Sequence, residues 1–263
     1  MNVISLSPVD LTIAAALVIV VAMLQWRMRL GNTKSLLIAA TRTILQLLLL
    51  GMVLKIVFAA SNLYWIALLS TIMLLAAGRE VMVRQKRRFI GSWGFLLGTS
   101  SMFVSAFSIT LLALLVIVQP EPWYLPQYSI PLLGMLLGNT LNGITLGLDS
   151  LTRNVWEQNS IVDGRLALGE TWSNAISDIR RDSIRVGMIP IINAMSVAGL
   201  VSLPGMMTGQ ILAGTPPLEA VKYQILIMFL IAAGTGMGTI TAIVIGCRRL
   251  FDDRERLRLD RLR

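Results

Sequence analysis

Histidine is absent from this chain, and cysteine occurs once, as Cys247. Without imidazole there is no histidine-based metal site and no histidine proton shuttle. A single thiol builds no disulfide framework. Charge is scarce too: Asp, Glu, Lys and Arg make up 14% of the 263 residues, against 55% apolar residues. A water-soluble globule of this length needs a charged surface, and these charges are too few to cover one. The G-x-x-x-x-G-K-[ST] phosphate loop is missing as well. GNTKS at 31–35 lacks its spacing and its second glycine, which excludes an ATPase within this chain.

What the sequence has is apolar runs, near 10–26, 35–58, 61–78, 93–118, 128–149, 188–204 and 219–247. Each is close to the roughly 20 residues that carry a helix across a bilayer core. They predict an all-α, polytopic membrane protein of about seven transmembrane helices in a single domain over 1–263, with the first and sixth spans the shortest. The residues Met1 to Pro8 lack a positive n-region, so the first span is expected to be retained rather than cleaved.

Basic residues set the orientation. Arg27, Arg29 and Lys34 follow the first run, Arg79 to Arg88 the third, Arg153 to Arg185 the fifth, and the tail arginines the last. All other connections lack them, and only Arg42, Lys55 and Lys222 lie within runs. The positive-inside bias therefore predicts an external N-terminus, a cytoplasmic segment 150–187 and a cytoplasmic tail 248–263. The external connections are 59–62, 119–127 and a stretch after 204. The net charge of +9 is then a topology signal and an attraction to anionic membrane lipids. Aromatics do not interleave the basic clusters, so no nucleic-acid partner is expected.

Polar side chains at membrane depth usually face a protein interior or a water-filled path. Arg42 and Gln46 lie four apart in ATRTILQLLLLG, Asn139 and Asn142 interrupt PLLGMLLGNTLNGI, Asn193 sits in GMIPIINAMS, and Gln210 in SLPGMMTGQILAG. These six are candidates for a substrate path. Interhelical hydrogen bonding is the competing use, worth only about 0.6 kcal/mol per bond, and Arg42 can also snorkel to the headgroups. The glycine pairs Gly134/Gly138 and Gly143/Gly147 have the spacing that lets helices approach closely. The methionines Met188, Met195, Met206 and Met207 serve either as adaptable packing or as soft-metal ligands. Carboxylates are confined to span ends, as at Asp10, Asp149 and Glu219, which disfavours a proton-coupled antiporter.

The 150–187 segment is long for a link. Trp172, Ala175, Ile176 and Ile179 recur at helical spacing, so an amphipathic helix is expected, lying on lipid or docking a partner. The tail places Asp252 four residues before Arg256, the spacing of a helical ion pair on a solvated or lipid-facing end.

Three stretches carry a resemblance: PLLGMLLGNTLNGI (131–144), RLALGETWSNAISDIRRDSIRVGMIPIINAMSVAGLVSLPGMMTGQILAG (165–214) and AVKYQILIMFLI (220–231). Together they are similar to the FetB/YbbM-type permease family of bacterial ABC transporters, related to plant aluminium-tolerance membrane proteins. The resemblance implies a non-catalytic permease of the bacterial inner membrane that exports iron, pairs with a separate ABC-type ATPase subunit and forms a permease homodimer. No cofactor is then bound by this chain, since ATP and magnesium belong to the partner subunit. LALGETWSNAISDIRRD resembles the cytoplasmic coupling motif of ABC permeases, which makes Arg165, Gly169, Glu170, Trp172, Ile176 and Ile179 the expected ATPase docking residues. The competing readings are a secondary transporter or channel, and a membrane scaffold that recruits a cytoplasmic protein.

The stretch VSLPGMMTGQILAGTPP (201–217) is expected to break the helix at the outer mouth. Proline lacks an N–H donor and glycine tolerates helix-ending angles, so Pro204 and Gly205 stop the sixth span. Residues 206–214 form a re-entrant or surface cap, serving as a gate or as a turn. Thr215 is then the N-cap of the last helix, with Pro216 at its first position.

Overall fold

A computed structural model describes residues 7–60 and 62–262; Met1 to Leu6, Ser61 of the expected external connection and Arg263 of the tail lie outside them. The described residues form eleven α-helices: α1 Pro8–Arg27, α2 Thr33–Ala60, α3 Leu63–Arg84, α4 Trp93–Met102, α5 Ser108–Leu112, α6 Pro126–Glu157, α7 Asn159–Ala167, α8 Trp172–Ala175, α9 Ser177–Val197, α10 Gly205–Leu212 and α11 Pro217–Arg249. Two π-turns, Phe103–Phe107 and Ala113–Val118, join α4 and α5 into one continuous span, Trp93–Val118. Among the described residues, 6 helices are long and apolar enough to cross a membrane. The remaining apolar run, 188–204, divides between the second half of α9 and an irregular turn.

The chain divides into two compact units. The first holds α1 and α2 with Leu212–Gly214. Its start is written in the sequence: the Ser7 backbone N–H donates to Asp10 Oδ2 at 2.8 Å while Asp10 N–H donates to Ser7 Oγ at 3.3 Å, a capping box with Pro8 at the first helical position. Arg29 and Gly31 take positive φ, 53° and 75°, and end the helix. Both helices are predominantly apolar and largely exposed, the pattern of lipid-facing spans.

The second unit holds everything from Leu63 to Ile211 and from Thr215 onward, and it contains the core. Helix α6 is central, packed against α3, α4, α9 and α11. In hydrocarbon no solvent expels these surfaces, so close approach does the work. Gly143 and Gly147 face Thr235, Thr239, Ser183 and Gly187, and Gly238 faces Thr140 and Ser105. The second glycine pair is thus an internal packing device. At 32 residues α6 is about 48 Å long, well beyond a hydrocarbon core of about 30 Å.

The 197–217 stretch, expected at the outer mouth, departs from expectation in two places. Helix α9 ends at Val197, ahead of Pro204: Gly199 takes φ +81°, and the Val201 and Ser202 N–H groups fold back onto the Val197 carbonyl at 3.0 and 3.1 Å. Pro204 instead opens α10, its carbonyl accepting the Thr208 N–H at 3.1 Å. Proline needs no donor in a first turn, so it starts this helix as readily as it would stop another. Helix α10, with 8 residues, is too short to cross, as the cap reading requires. The last helix begins at Pro217 and is capped by Pro216, with no side-chain cap from Thr215. A residue before proline is pushed out of the helical region, and Pro216 accordingly has ψ 134°.

The tail is no solvated end. Leu250, Phe251 and Leu262 are buried. The Arg261 guanidinium donates to the carbonyls of Arg249 and Phe251 at 2.7 and 3.1 Å, the Arg258 N–H donates to Leu250 at 2.8 Å, and Leu262 bridges Phe89 antiparallel. The Asp252–Arg256 pair is present, with Arg256 Nη2 2.9 Å from Asp252 Oδ2, but it staples a turn instead of a helix. The Asp252 carboxylate also accepts the backbone N–H groups of Arg256 and Arg254, at 2.9 and 3.0 Å. The Arg256 bond above all holds its carboxyl below the usual carboxylate range.

Candidate functional site: a polar helix face and an exposed turn

The face of α6 that no helix of its own unit covers is the polar one. Gly138, Asn139 and Asn142 are exposed between the buried Leu137, Thr140, Leu141 and Gly143. Spacing of three places both asparagines on one side of the helix. Asn139 Nδ2 donates to the Met135 carbonyl of its own helix at 2.8 Å. Arg84 Nη1 donates to Asn142 Oδ1 at 3.4 Å, and the same guanidinium lies 3.4 Å from Glu80 Oε2. Two turns further on, Asp149 Oδ1 accepts the Lys86 N–H at 3.1 Å. The amide face therefore runs into an acidic and basic patch made by the ends of α3 and α6. Arg84 is expected only as one of the basic residues that set the topology and Glu80 not at all; their spacing of four in GREVMVR was the available signal. Among the described residues no group of three carboxylates or thiols could hold a metal ion.

The other expected path residues lie apart from this face. Asn193 is exposed on α9. Gln210, on α10, lines a cavity of about 310 Å³ with Gln127, Tyr128, Met135, Met206, Thr215 and Tyr223, at the end of α6 away from the basic segments. Its Oε1 is buried without a hydrogen-bond partner, and Met135 sits one turn before Asn139, so this cavity adjoins the polar face. Arg42 and Gln46 are exposed on α2, in the first unit.

Three basic segments meet at one end of the second unit. Arg87 stacks 4.0 Å over the Trp156 ring, the Ile90 N–H donates to the Arg261 carbonyl at 2.9 Å, and the Trp172 N–H donates to Glu255 Oε2 at 2.9 Å. From this base a turn projects. Gly169 takes φ +91°, the Gly169 and Glu170 N–H groups return to Leu166 and Arg165 at 3.0 and 3.1 Å, and α7 reverses into α8. Arg165 braces the turn through Asp178 at 2.9 Å and the Ala175 carbonyl at 3.4 Å.

The expected amphipathic face turns inward. Ile176 is 0% exposed and Ile179 5%, both in the core, and Trp172 packs its ring 5.7 Å from that of Phe251. The chain breaks at Ile176, between α8 and α9, which aims these residues at the helix bundle instead of at lipid or a partner. What projects is Leu168, 87% exposed, with Gly169 and Glu170. Leu168 was legible as an apolar residue directly before a helix-ending glycine.

Comparison with known proteins agrees with this architecture. The model of the uncharacterised protein family UPF0014 matches residues 8–251. The UPF0014 membrane protein slr1647 of Synechocystis is 42% identical over 241 residues, 90% of each chain. The probable iron export permease protein FetB of Escherichia coli is 32% identical over 255 residues, 97% of this chain and 96% of its own. Protein ALUMINUM SENSITIVE 3 of Arabidopsis thaliana is 32% identical over 231 residues, 87% of this chain and 82% of its own. No solved structure matches significantly. On a match that covers nearly its whole length, this polytopic membrane chain belongs to the UPF0014 family.

Proposed function

We propose that this chain is the non-catalytic permease subunit of an ATP-driven exporter in the bacterial inner membrane. Substrate moves along the amide face of α6, and a separate ABC-type ATPase, carrying ATP and magnesium, docks on the Leu168–Glu170 turn. The observation that carries this reading is the exposed apolar Leu168 held on a braced turn at the basic end, in a chain without a phosphate loop. An interface anchor of this kind contributes most when it fills a partner's pocket. Iron is the proposed cargo because of the name of the Escherichia coli relative. The oxygens on the α6 face are those of the Asn139 and Asn142 side-chain amides, which suit a hard cation passing through better than one held in place. Two permeases side by side would close the exposed α6 faces around a shared path.

The test is reconstitution with an isolated ABC-type ATPase subunit from the same organism, with hydrolysis measured against a panel of iron species and other ions. Stimulation that is lost in Leu168→Asp supports the reading. Transport that proceeds without any ATPase would overturn it in favour of a secondary transporter or channel.

A further inference from the structure

We infer that Glu255 is a positioning residue, and that the C-terminal tail is a brace which fixes the docking turn in place. The inference rests on the proposed docking at Leu168–Glu170 and adds to it the element that controls it. Helix α8 has only 4 residues, and the side chain of Thr171, at its N-cap, makes no capping bond. Its first N–H, on Trp172, is an orphan donor that needs an acceptor. That acceptor comes from 83 positions downstream, where Glu255 Oε2 lies at 2.9 Å. A carboxylate at a helix start is favoured by charge as well as by hydrogen bonding.

Glu255 reaches this place by adopting φ +59°, a left-handed conformation that side-chain-bearing residues keep only where their surroundings hold it. The surroundings do hold it. Its own N–H donates to the Asp252 carbonyl at 3.0 Å, and Asp252 is fastened to Arg254 and Arg256. The side chain of the same tryptophan packs against Phe251, ring to ring at 5.7 Å, and the Arg248 guanidinium lies 5.4 Å from its ring centre. At its far end the tail is pinned to the α3–α4 connection through Phe89, Ile90, Leu262 and Arg261. A tail that merely ended the chain would not link the close of α11, the α3–α4 connection and the start of α8. Pressure on the docking turn is thus transmitted to α11 and α3 as well as to α9.

Two measurements on the full-length protein test this: hydrogen exchange at the amides of 172–175, and co-purification of the ABC-type ATPase subunit used in the reconstitution, in detergent. Glu255→Ala should raise exchange at 172–175 at least about tenfold and lower ATPase recovery several-fold, without changing the thermal unfolding midpoint. Glu255→Gln keeps an oxygen acceptor and should restore most of both. Unchanged exchange in Glu255→Ala would show that the carboxylate holds nothing. Raised exchange with full ATPase recovery would overturn the control of docking. If wild type itself recovers no ATPase, the docking reading fails, and the exchange measurement still decides whether the brace exists.

Discussion

A Cβ added to Gly187 of α9 would lie 2.7 Å from the backbone carbonyl oxygen of Gly143 on α6 and 2.6 Å from Thr239 Cγ2 on α11. Three helices therefore meet where Thr239 already fills the space and neither glycine has room for a methyl group. Gly187→Ala should destabilise the protein by roughly 1–3 kcal/mol, the usual cost of overpacking, because backbone must move to admit it. Gly138→Ala, with nothing within 4 Å, should be tolerated and serves as the control. Thermal unfolding in detergent distinguishes them; equal midpoints would mean that the seam is looser than described.

Asn139 and Asn142 are not needed to hold the core. One bonds within its own helix and the other reaches Arg84 only at 3.4 Å. Replacing both with leucine should leave folding and ATPase association intact and cut transport severely. Full transport by the double variant would reduce these residues to lipid-facing polarity.

The basic ends of α3, α6 and α11 share one side, so all three should lie in the cytoplasm. A reporter fused after the last residue should be active only as a cytoplasmic one, and a reporter placed within 119–127 only as an external one. A cytoplasmic signal from the second fusion would invert the topology.

Acid should release the tail late. Asp252 is held below the usual carboxylate range by the Arg256 backbone N–H, and Asp260 is lowered by the Arg258 guanidinium at 2.8 Å. A depressed folded-state pKa contributes stability that is fully present above the unfolded value and is lost as pH falls through the folded one. Exchange at 250–262, corrected for intrinsic rates, should therefore stay flat between about pH 5 and 8 and rise only in stronger acid. An onset near neutrality would show that the ion pairs do not fasten this segment.

Helices, spans and the clustering of basic segments were legible because apolar length and charge placement are properties of the chain itself. The break at Pro216–Pro217 needed only the rule about residues preceding proline, applied one position later. The tail was not legible: nothing local says that Glu255 caps a helix begun 83 positions earlier. Nor does helical spacing say which way an apolar face points, and Ile176 and Ile179 looked inward while Leu168, outside the periodic set, looked out. Leu257, which a solvated tail would offer as a silent control site, bridges Phe251 and packs against the core, so its truncation is not silent.

Between Leu132 and Glu157, beyond its one internal proline at Pro131, α6 continues without a hinge. Asn142 and Glu157 are then about 22 Å apart on a single connecting rod, at 1.5 Å per residue. A tilt of a few degrees imposed at the last turn of such a rod, near Glu157, displaces the amide face in the same stroke, with no bend between them. Work that the proposed ATPase would pass through α7 to this end of α6 would then reach Asn139 and Asn142 along one helix. Glycine in place of the half-buried Thr145 and the exposed Leu146 should act as a slipping clutch, loosening the rod between the two events while the buried seam residues keep their register.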